Sequence, residues 1–341
     1  MSRAEPAETV PDHEVVIAAD DAPVIDDAAS DRASSLASSS TSVAASVLNY
    51  RQENGRTYHA YKDGKYNLPN DELENDRLDL QHNLFLLTFD DKLGNAPPND
   101  KDAKVGRVLD VGTGTGIWAV EFGDEHPDAE VLGFDLSATF PEFMPPNVKF
   151  EVDDLEEPWT YSQPFDYIHS RMMNGCINDW DAYAKKCFDN LSPGGYVEFN
   201  ETPLKPMSDD GTLKEDAQIL KIAGLIQQAS EKGGRPTIDI NSFKDVLIRA
   251  GFEDVKVLKY KWPTNTWPRD KRFQEIGAWS FENIVAGWDG LCMAMLTRFH
   301  EWTKEEVILS NALCRKEFKD KSIHAYWPLY SIYGRKPLKS E

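Results

Sequence analysis

The sequence predicts an α/β domain built on a mostly parallel sheet, preceded by a long polar tail. Short apolar strands alternate with helical segments between residues 105 and 202, and a glycine-rich loop follows the first of these strands. Strand–helix–strand units of this kind pair their strands in parallel, with right-handed crossovers. We therefore expect the functional side chains at the carboxyl ends of the strands.

The tail is predicted to be disordered over residues 1–48, where Asp, Glu, Ala, Pro and a serine-rich tract dominate and aromatic residues are almost absent. The remainder of the 341 residues suits one large domain. We place it at 49–341, with a strap and helix at 49–104, a cofactor-binding half at 105–202, and a substrate-side half with helical insertions at 203–341.

The composition argues against several classes of protein. A formal net charge of −21 disfavours direct binding of nucleic acid, which needs Lys and Arg to displace phosphate counterions. No apolar run reaches the roughly 18 residues of a membrane span, and the acidic N-terminus has no secretory h-region. None of the four cysteines forms a CxxC pair, so we expect no metal site and reduced thiols in an intracellular compartment.

The individual elements follow from local patterns. Asn70 is predicted to cap a helix whose apolar stripe, interrupted by an arginine, comprises Leu73, Arg77, Leu80, Leu84 and Leu87. The alternation then predicts strands at 107–112, 129–137, 148–154, 165–169 and 196–201, helices at 117–125 and 181–191, and a tight turn at 192–195. Beyond residue 202 we expect a helical insertion at about 212–231, a helix ended by Gly251, a strand at 254–262, a second insertion at about 263–322 and a last strand at 325–336.

The glycine loop VLDVGTGTGIWA (108–119) is the strongest functional signal. It lacks the Gly-Lys-Ser/Thr of a phosphate-binding P-loop, and Ile117 stands where a dinucleotide loop has its third glycine. Asp110 precedes the first glycine by two residues, where its carboxylate would repel a pyrophosphate but attract an ammonium group. S-adenosylmethionine fits these features, because it carries an α-ammonium and a sulfonium but no phosphate.

With this loop, the chain resembles the class I S-adenosylmethionine-dependent methyltransferases. The resemblance implies a Rossmann-like, seven-stranded, mostly parallel sheet with an antiparallel last strand. It implies that the methionyl part of the cofactor is held by the loop residues Asp110, Gly112, Thr113, Gly114 and Gly116. It also implies that Asp135, beside Leu136, binds the ribose hydroxyls, and that Asp154, with Asp153 as the alternative, faces the adenine flanked by Leu155.

Features outside the generic fold resemble the fungal LaeA-like methyltransferases. They are the segment 58–82, the tryptophan after the loop, DLEEPW (154–159), FDYIHSR (165–171), LSPGGYVEFNE (191–201) and the tryptophan-rich insertion. The resemblance implies a regulator of secondary metabolism and development with velvet-type or other methyltransferase partners, located in the nucleus or in both nucleus and cytoplasm. A small-molecule O- or N-methyltransferase of a biosynthetic pathway and a non-catalytic interaction protein are the alternatives.

Candidate acceptor-side residues come from the strand ends and from the aromatic segments. His169 is a candidate base and Arg171 a candidate clamp for the acceptor, although both could merely orient the loop that follows. Four aromatic residues before the cofactor loop form either a lid over the cofactor or a packed strap: Tyr58, His59, Tyr61 and Tyr66. The tryptophans of the second insertion are core or pocket wall, and a pocket wall predicts a mainly apolar acceptor.

Overall fold

A computed structural model describes residues 48–338 and Ile17. The predicted disordered tail therefore lies outside the described residues, apart from Ile17 and Leu48. The described chain begins with an antiparallel hairpin of strands β1 (Arg51–Glu53) and β2 (Arg56–Tyr58). This hairpin is the first part of the strap that the sequence places ahead of the cofactor-binding half.

The central sheet has seven strands, as the sequence predicts. They are β3 (Arg107–Val111), β4 (Glu130–Asp135), β5 (Val148–Val152), β6 (Phe165–Arg171), β7 (Leu191–Glu201), β8 (Glu253–Pro263) and β9 (Tyr326–Arg335). Their order is β5-β4-β3-β6-β7-β9-β8, and only β9 runs antiparallel to its neighbours. The order reverses at β3, so the loops after β3 and β6 diverge and leave a crevice at this edge.

Seven α-helices surround or extend the sheet within residues 48–338. They are α1 (Glu72–Thr88), α2 (Ile117–Glu125), α3 (Trp180–Asn190), α4 (Gln218–Lys232), α5 (Phe243–Ala250), α6 (Lys271–His300) and α7 (Lys304–Lys319). Helix α2 packs on one face of the sheet, and α3 and α5 pack on the other. A third apolar cluster joins α1, α4, α6 and α7 to the last two strands, forming a helical cap over the carboxyl edge.

Helix α1 buries only part of the face that its leucines predict. Its N-cap is Asp71, not Asn70, and the Asp71 side chain accepts the backbone N–H of Glu74. Leu73 is 71% exposed. The buried residues of the helix are Glu74, Gln81, His82, Leu84, Phe85 and Thr88. The predicted stripe is therefore right at Leu84 and Leu87 and wrong at Leu73, and the inward face of α1 also carries polar side chains.

Two other expectations are adjusted by the structure. Residues 192–195 lie within β7 instead of forming a separate turn, because Leu191 already pairs with Phe165 of β6. The first insertion becomes helical only at Gln218. The predicted end of α5 is confirmed, since Gly251 adopts a left-handed conformation with φ of 107°.

Candidate active site

A cavity of about 290 Å³ opens at the carboxyl edge of the sheet, between the glycine loop and helices α1 and α6. The residues after β3, β4, β5 and β6, together with the end of β7, form one side. The helical cap forms the other. The cavity is continuous from the predicted cofactor site to the part lined by Trp262, Trp288 and Trp327, which we call the second chamber.

The glycine loop presents its backbone to this cavity. Gly112 and Gly114 line it with φ values of 69° and 60°, which L-residues with side chains rarely adopt. A Cβ on Gly112 would lie only 2.8 Å from Sδ of Met173. Gly116 lies behind the loop instead, where it caps α2 and where a Cβ would meet the ring of Phe150 at 2.5 Å. Gly112, Thr113, Gly114 and Thr115 therefore line the cavity, whereas Gly116, which the sequence also assigned to the cofactor, does not.

Asp110 holds this loop from beneath. It is 3% exposed and does not line the cavity. One carboxylate oxygen accepts the hydroxyl of Thr113 (2.5 Å), and the other lies 2.8 Å from Nδ1 of His169. The expected direct contact with a cofactor ammonium is thus corrected, because both oxygens of Asp110 are engaged with protein groups.

His169 is wholly buried. Its ring stacks on Trp118 with centroids 3.9 Å apart and an interplanar angle of 9°. Its Nδ1 faces Asp110, and its Nε2 lies 3.4 Å from Nδ2 of Asn200. Because His169 does not reach the cavity wall, the structure contradicts its interpretation as a base that contacts the acceptor. It is a structural residue beneath the site.

Asp135 lies at the end of β4, in the cavity wall beside Leu136. Its carboxylate accepts the backbone N–H of Gly114 (3.0 Å) and that of Ser137 (2.9 Å). Burial raises the pKa of Asp135, against the effect of these two hydrogen bonds. The side chain is therefore fixed in orientation while its remaining lone pairs face the cavity.

Asp154 and Asp153 follow β5, and both line the cavity. Asp154 forms an ion pair with Lys65 of the strap, and Lys65 also contacts Glu156 at 3.0 Å. Burial alone would raise the pKa of Asp154, but the Lys65 ion pair and the Glu156 N–H bring it below its ordinary value. Arg235 pairs with both oxygens of Glu156 at 2.9 and 3.0 Å. These ion pairs join the strap, the β5 loop and the α4–α5 connection at the cavity rim.

The aromatic segment before the loop is mainly a packed strap. Tyr58 is 1% exposed, lies 4.7 Å beneath the guanidinium of Arg298 and does not line the cavity. Its assignment to the cofactor site is therefore wrong. His59 is also buried. The strap reaches the cavity further along, through Lys65 and Tyr66.

Arg171, the last residue of β6, does line the cavity. Its Nη1 lies 3.0 Å from Nδ1 of His82, whose Nε2 lies 2.9 Å from Glu121. An arginine only donates hydrogen bonds, so Nδ1 of His82 accepts and Nε2–H donates to Glu121. Burial lowers the pKa of Arg171 to about 10, and burial also lowers the pKa of His82. A charged Arg171 oriented by a neutral His82 fits the predicted clamp.

Glu201 is a functional candidate that the sequence reasoning missed. It ends β7, is wholly buried and lines the cavity. Its two oxygens accept the backbone N–H groups of Met173 and Asn174, each at 2.9 Å. Burial raises the pKa of Glu201 to about 8. The sequence feature that could have identified Glu201 is its position, since it is an acidic residue at the carboxyl end of a strand next to β6.

The second chamber is largely apolar. Three of its wall residues are Trp262 of β8, Trp288 of α6 and Trp327 of β9. Trp288 is the single tryptophan of the predicted insertion that reaches the described cavity. Trp267 is buried elsewhere, and Trp279 is 39% exposed. The prediction that these tryptophans are core or pocket wall thus fits Trp288 and Trp267 but not Trp279, and the two other wall tryptophans lie on the sheet.

Membrane spans and metal clusters are both absent from residues 48–338. No helix in this range combines the length and apolarity that crossing a membrane requires. In the same range, no group of three or more His, Cys, Asp or Glu side chains is arranged to hold a metal ion. The four cysteines are all free.

The strand order, the single antiparallel strand and the glycine loop after β3 together define the architecture of a class I methyltransferase. Comparison with known proteins agrees. The family described as "Methyltransferase domain" matches residues 80–257. The chain is 38% identical over 301 residues to methyltransferase pytC of Aspergillus terreus, covering 88% of this chain and 92% of that protein.

Other relatives carry regulatory names. Secondary metabolism regulator LAE1 of Cochliobolus heterostrophus is 36% identical, with 89% of this chain and 99% of that protein covered. Protein-methionine methyltransferase laeA of Emericella nidulans is 34% identical, with 85% and 77% covered. A solved phosphoethanolamine N-methyltransferase of Haemonchus contortus aligns at 18% identity with a TM-score of 0.44, over 77% of this chain and 52% of that one.

The chain therefore belongs to the methyltransferase-domain family, within its LaeA-like group of S-adenosylmethionine-dependent enzymes.

Proposed function

We propose that this enzyme transfers a methyl group from S-adenosylmethionine to a small, mainly apolar acceptor of fungal secondary metabolism. The observation that carries the proposal is the continuous cavity that joins the glycine loop to the chamber walled by Trp262, Trp288 and Trp327. Enclosed chambers with aromatic walls and a few polar groups are typical of small-molecule sites. The 38% identity to pytC, which is named a methyltransferase, supports it.

The residues at the loop fit the cofactor. Gly112 and Gly114 leave room for the methionyl chain to approach the backbone. The carboxylate of Asp135, held by two backbone N–H groups, is placed to accept both hydroxyls of a ribose diol. We assign the adenine to the side of Asp153 and Leu155, because Lys65 already pairs with Asp154.

S-adenosylmethionine supplies an electrophilic methyl group on its sulfonium. The protein's task is to align the acceptor atom with that methyl group and to exclude water. Glu201 is the buried carboxyl group in the wall whose pKa, near 8, suits it to take a proton from a hydroxyl or an amine. Arg171 provides a positive charge elsewhere in the cavity wall.

Radiolabelled S-adenosylmethionine tests the proposal. The full chain is incubated with the methyl-labelled cofactor and a fungal extract divided into small-molecule and protein fractions. We expect label in the small-molecule fraction, and less of it in an Asp135→Ala sample run in parallel at a cofactor concentration that limits the wild type. Label confined to the protein fraction would contradict a small-molecule acceptor.

A regulatory role is a second candidate, with the chain acting in the nucleus beside a velvet-type protein. Two kinds of relative are named secondary metabolism regulators, LAE1 and laeA. Helix α7 also exposes three apolar side chains, Ile308, Leu309 and Leu313, at 47%, 68% and 43%. Exposed apolar residues grouped on one helix favour a protein contact.

Affinity purification from a fungal nuclear extract tests this role. We expect the wild-type chain to retain a partner that the Leu309→Lys variant loses, and an Ile248→Lys variant, altered at an exposed apolar residue of α5, to keep it. The regulatory role would be contradicted if the tagged chain were excluded from nuclei, or if both variants retained the partner equally.

A methionine acceptor is favoured by a separate observation. The relative from Emericella nidulans is named a protein-methionine methyltransferase. In this chain Met172 and Met173 both line the cavity, and Met172 holds a strained φ of 58°. A thioether needs no base. Peptide mass spectrometry after incubation with the cofactor should locate an added methyl group, and its loss in Met172→Leu or Met173→Leu would identify the sulfur.

A further inference from the structure

A polar cluster lines the cavity on the side of the helical cap. Helices α1 and α6 share it, and its members all line the cavity: Glu74, Arg77, Gln81, Ser280 and Asn283. On each helix the spacing is three or four residues, so each set lies on one face. The methyl-transfer arrangement around Asp135 and Glu201 makes no use of these side chains.

The two helices pack antiparallel. Arg77, in the middle of α1, donates from Nη1 to Oδ1 of Asn283 at 2.8 Å. At the C-terminal end of α1, the carbonyl of Thr88 accepts from Nη2 of Arg272, at the start of α6, at 3.4 Å. Residue numbers therefore rise along α1 as they fall along α6.

This register places Gln81 opposite Ser280. Gln81 lies one turn after Arg77, and Ser280 lies one turn before Asn283. Both side chains are deeply buried, at 5% and 2% exposure, and both line the cavity. Neither side chain hydrogen-bonds to any other group of the described chain. Because both residues line the cavity, their polar groups are available to hydrogen-bond a ligand there.

The charges of the cluster are already balanced. Oε1 of Glu74 accepts from Nε and Nη2 of Arg77 at 3.1 and 2.7 Å. Because Oδ1 of Asn283 accepts from Arg77, the NH₂ of Asn283 is left as a donor toward the cavity. The cluster therefore offers hydrogen-bond donors without a free positive charge, and Glu74 would repel an anion.

We propose that Gln81, Ser280 and Asn283 form a subsite for a neutral carbonyl or amide oxygen of the acceptor. The acceptor's apolar body then lies against Trp262 and Trp288. This inference rests on the proposed function, whose acceptor class it narrows to an apolar, carbonyl-bearing molecule. It also gives a reason for the buried polar side chains of Glu74 and Gln81 on the inward face of α1.

A matched pair of probes tests the subsite. Benzophenone and diphenylmethane share two aromatic rings and differ in a carbonyl against a methylene. Their dissociation constants are measured by equilibrium dialysis with the full chain and S-adenosylhomocysteine. We expect the wild type to bind benzophenone about tenfold more tightly, the effect of hydrogen bonds that only the ketone can form.

The double variant Gln81→Leu, Ser280→Ala should bring the two dissociation constants together and leave diphenylmethane binding undiminished. Its melting temperature should be close to that of the wild type, because neither side chain hydrogen-bonds to another group of the described chain. A merely structural role for these residues would lower it. Gln228→Leu, on the exposed surface of α4, should keep the preference for the ketone.

The possible failures are distinguishable. If S-adenosylhomocysteine does not bind the wild type, the proposed function fails. If it binds but benzophenone has no advantage over diphenylmethane, or keeps its advantage in the double variant, the subsite is overturned and the proposed function stands.

Discussion

Asp110 and His169 face each other across neighbouring parallel strands, and their side chains join those strands beneath the active site. They are register partners of β3 and β6, with Oδ1 of Asp110 2.8 Å from Nδ1 of His169. The same carboxylate holds Thr113, and the imidazole stacks on Trp118. This buried pair therefore fixes the relative positions of the glycine loop, helix α2 and strand β6, which leads to Arg171.

His169→Ala should lower the free energy of unfolding by about 2–3 kcal/mol, because it leaves a buried carboxylate without its partner. His169→Asn should lose less, since its amide can still donate to Asp110. Urea denaturation measures both. His324→Ala, which removes an ion pair to Asp210 near the surface, should cost less than about 1 kcal/mol. If His169→Asn is stable and binds the cofactor but transfers no methyl group, His169 would again be a candidate base, contrary to its buried position in the structure.

The sequence predicts best where the backbone itself imposes a residue type. The glycines at 112 and 114 are required by positive φ, and the alternation of strands and helices determines the sheet. It fails where a polar side chain faces a cavity. Periodicity assigns polar residues to solvent, so it misses the buried Glu74, Gln81 and His82 on the inward face of α1. The prediction for His169 is wrong because this residue lies two positions inside β6, whereas Arg171 ends the strand and reaches the cavity.

Gly112→Ala should disrupt the cofactor loop. Two effects add: a left-handed backbone costs a residue with a Cβ about 1–2 kcal/mol, and that Cβ would lie 2.8 Å from Sδ of Met173. Gly211→Ala is a matched control, because Gly211 has a similar φ of 72° and a Cβ there would meet no atom of the described chain within 4 Å. Chemical denaturation measures the stability of each variant, and calorimetry measures its binding of S-adenosylmethionine. The difference between the two variants gives the effect of the contact with Met173 apart from the backbone strain. Equal losses in both proteins would show that the contact with Met173 is unimportant.

The protonation of Glu201 should make stability depend on pH. Burial raises its pKa in the folded protein to about 8 from an ordinary value of 4.5. The folded state therefore binds this proton more tightly than the unfolded state. The contribution to stability is complete below pH 4.5 and is lost as the pH rises toward 8.

Glu201→Gln should flatten that part of the profile, as measured by urea denaturation at a series of pH values. Glu157→Gln removes an exposed ion pair with Lys62 of the strap. It should leave the pH dependence of stability between pH 4.5 and 8 unaltered. The same slope in Glu201→Gln and wild type would mean that Glu201 is ionised throughout, and its role as a proton acceptor near pH 8 would lose its basis.

Asp135 should dominate recognition of the cofactor's ribose. Asp135→Ala removes a carboxylate fixed by Gly114 and Ser137, and the loss of its charge-assisted hydrogen bonds should weaken binding by about 1.5–3 kcal/mol. Calorimetry with S-adenosylhomocysteine measures the change, and Asp128→Ala, at an exposed position, is the control. A 2′-deoxyribose analogue of the ligand sharpens the assignment. The wild type should bind this analogue more weakly than the parent ligand. Asp135→Ala should bind the two ligands almost equally, because the variant has no carboxylate to distinguish them. An unchanged preference in the variant would place the ribose elsewhere in the cavity.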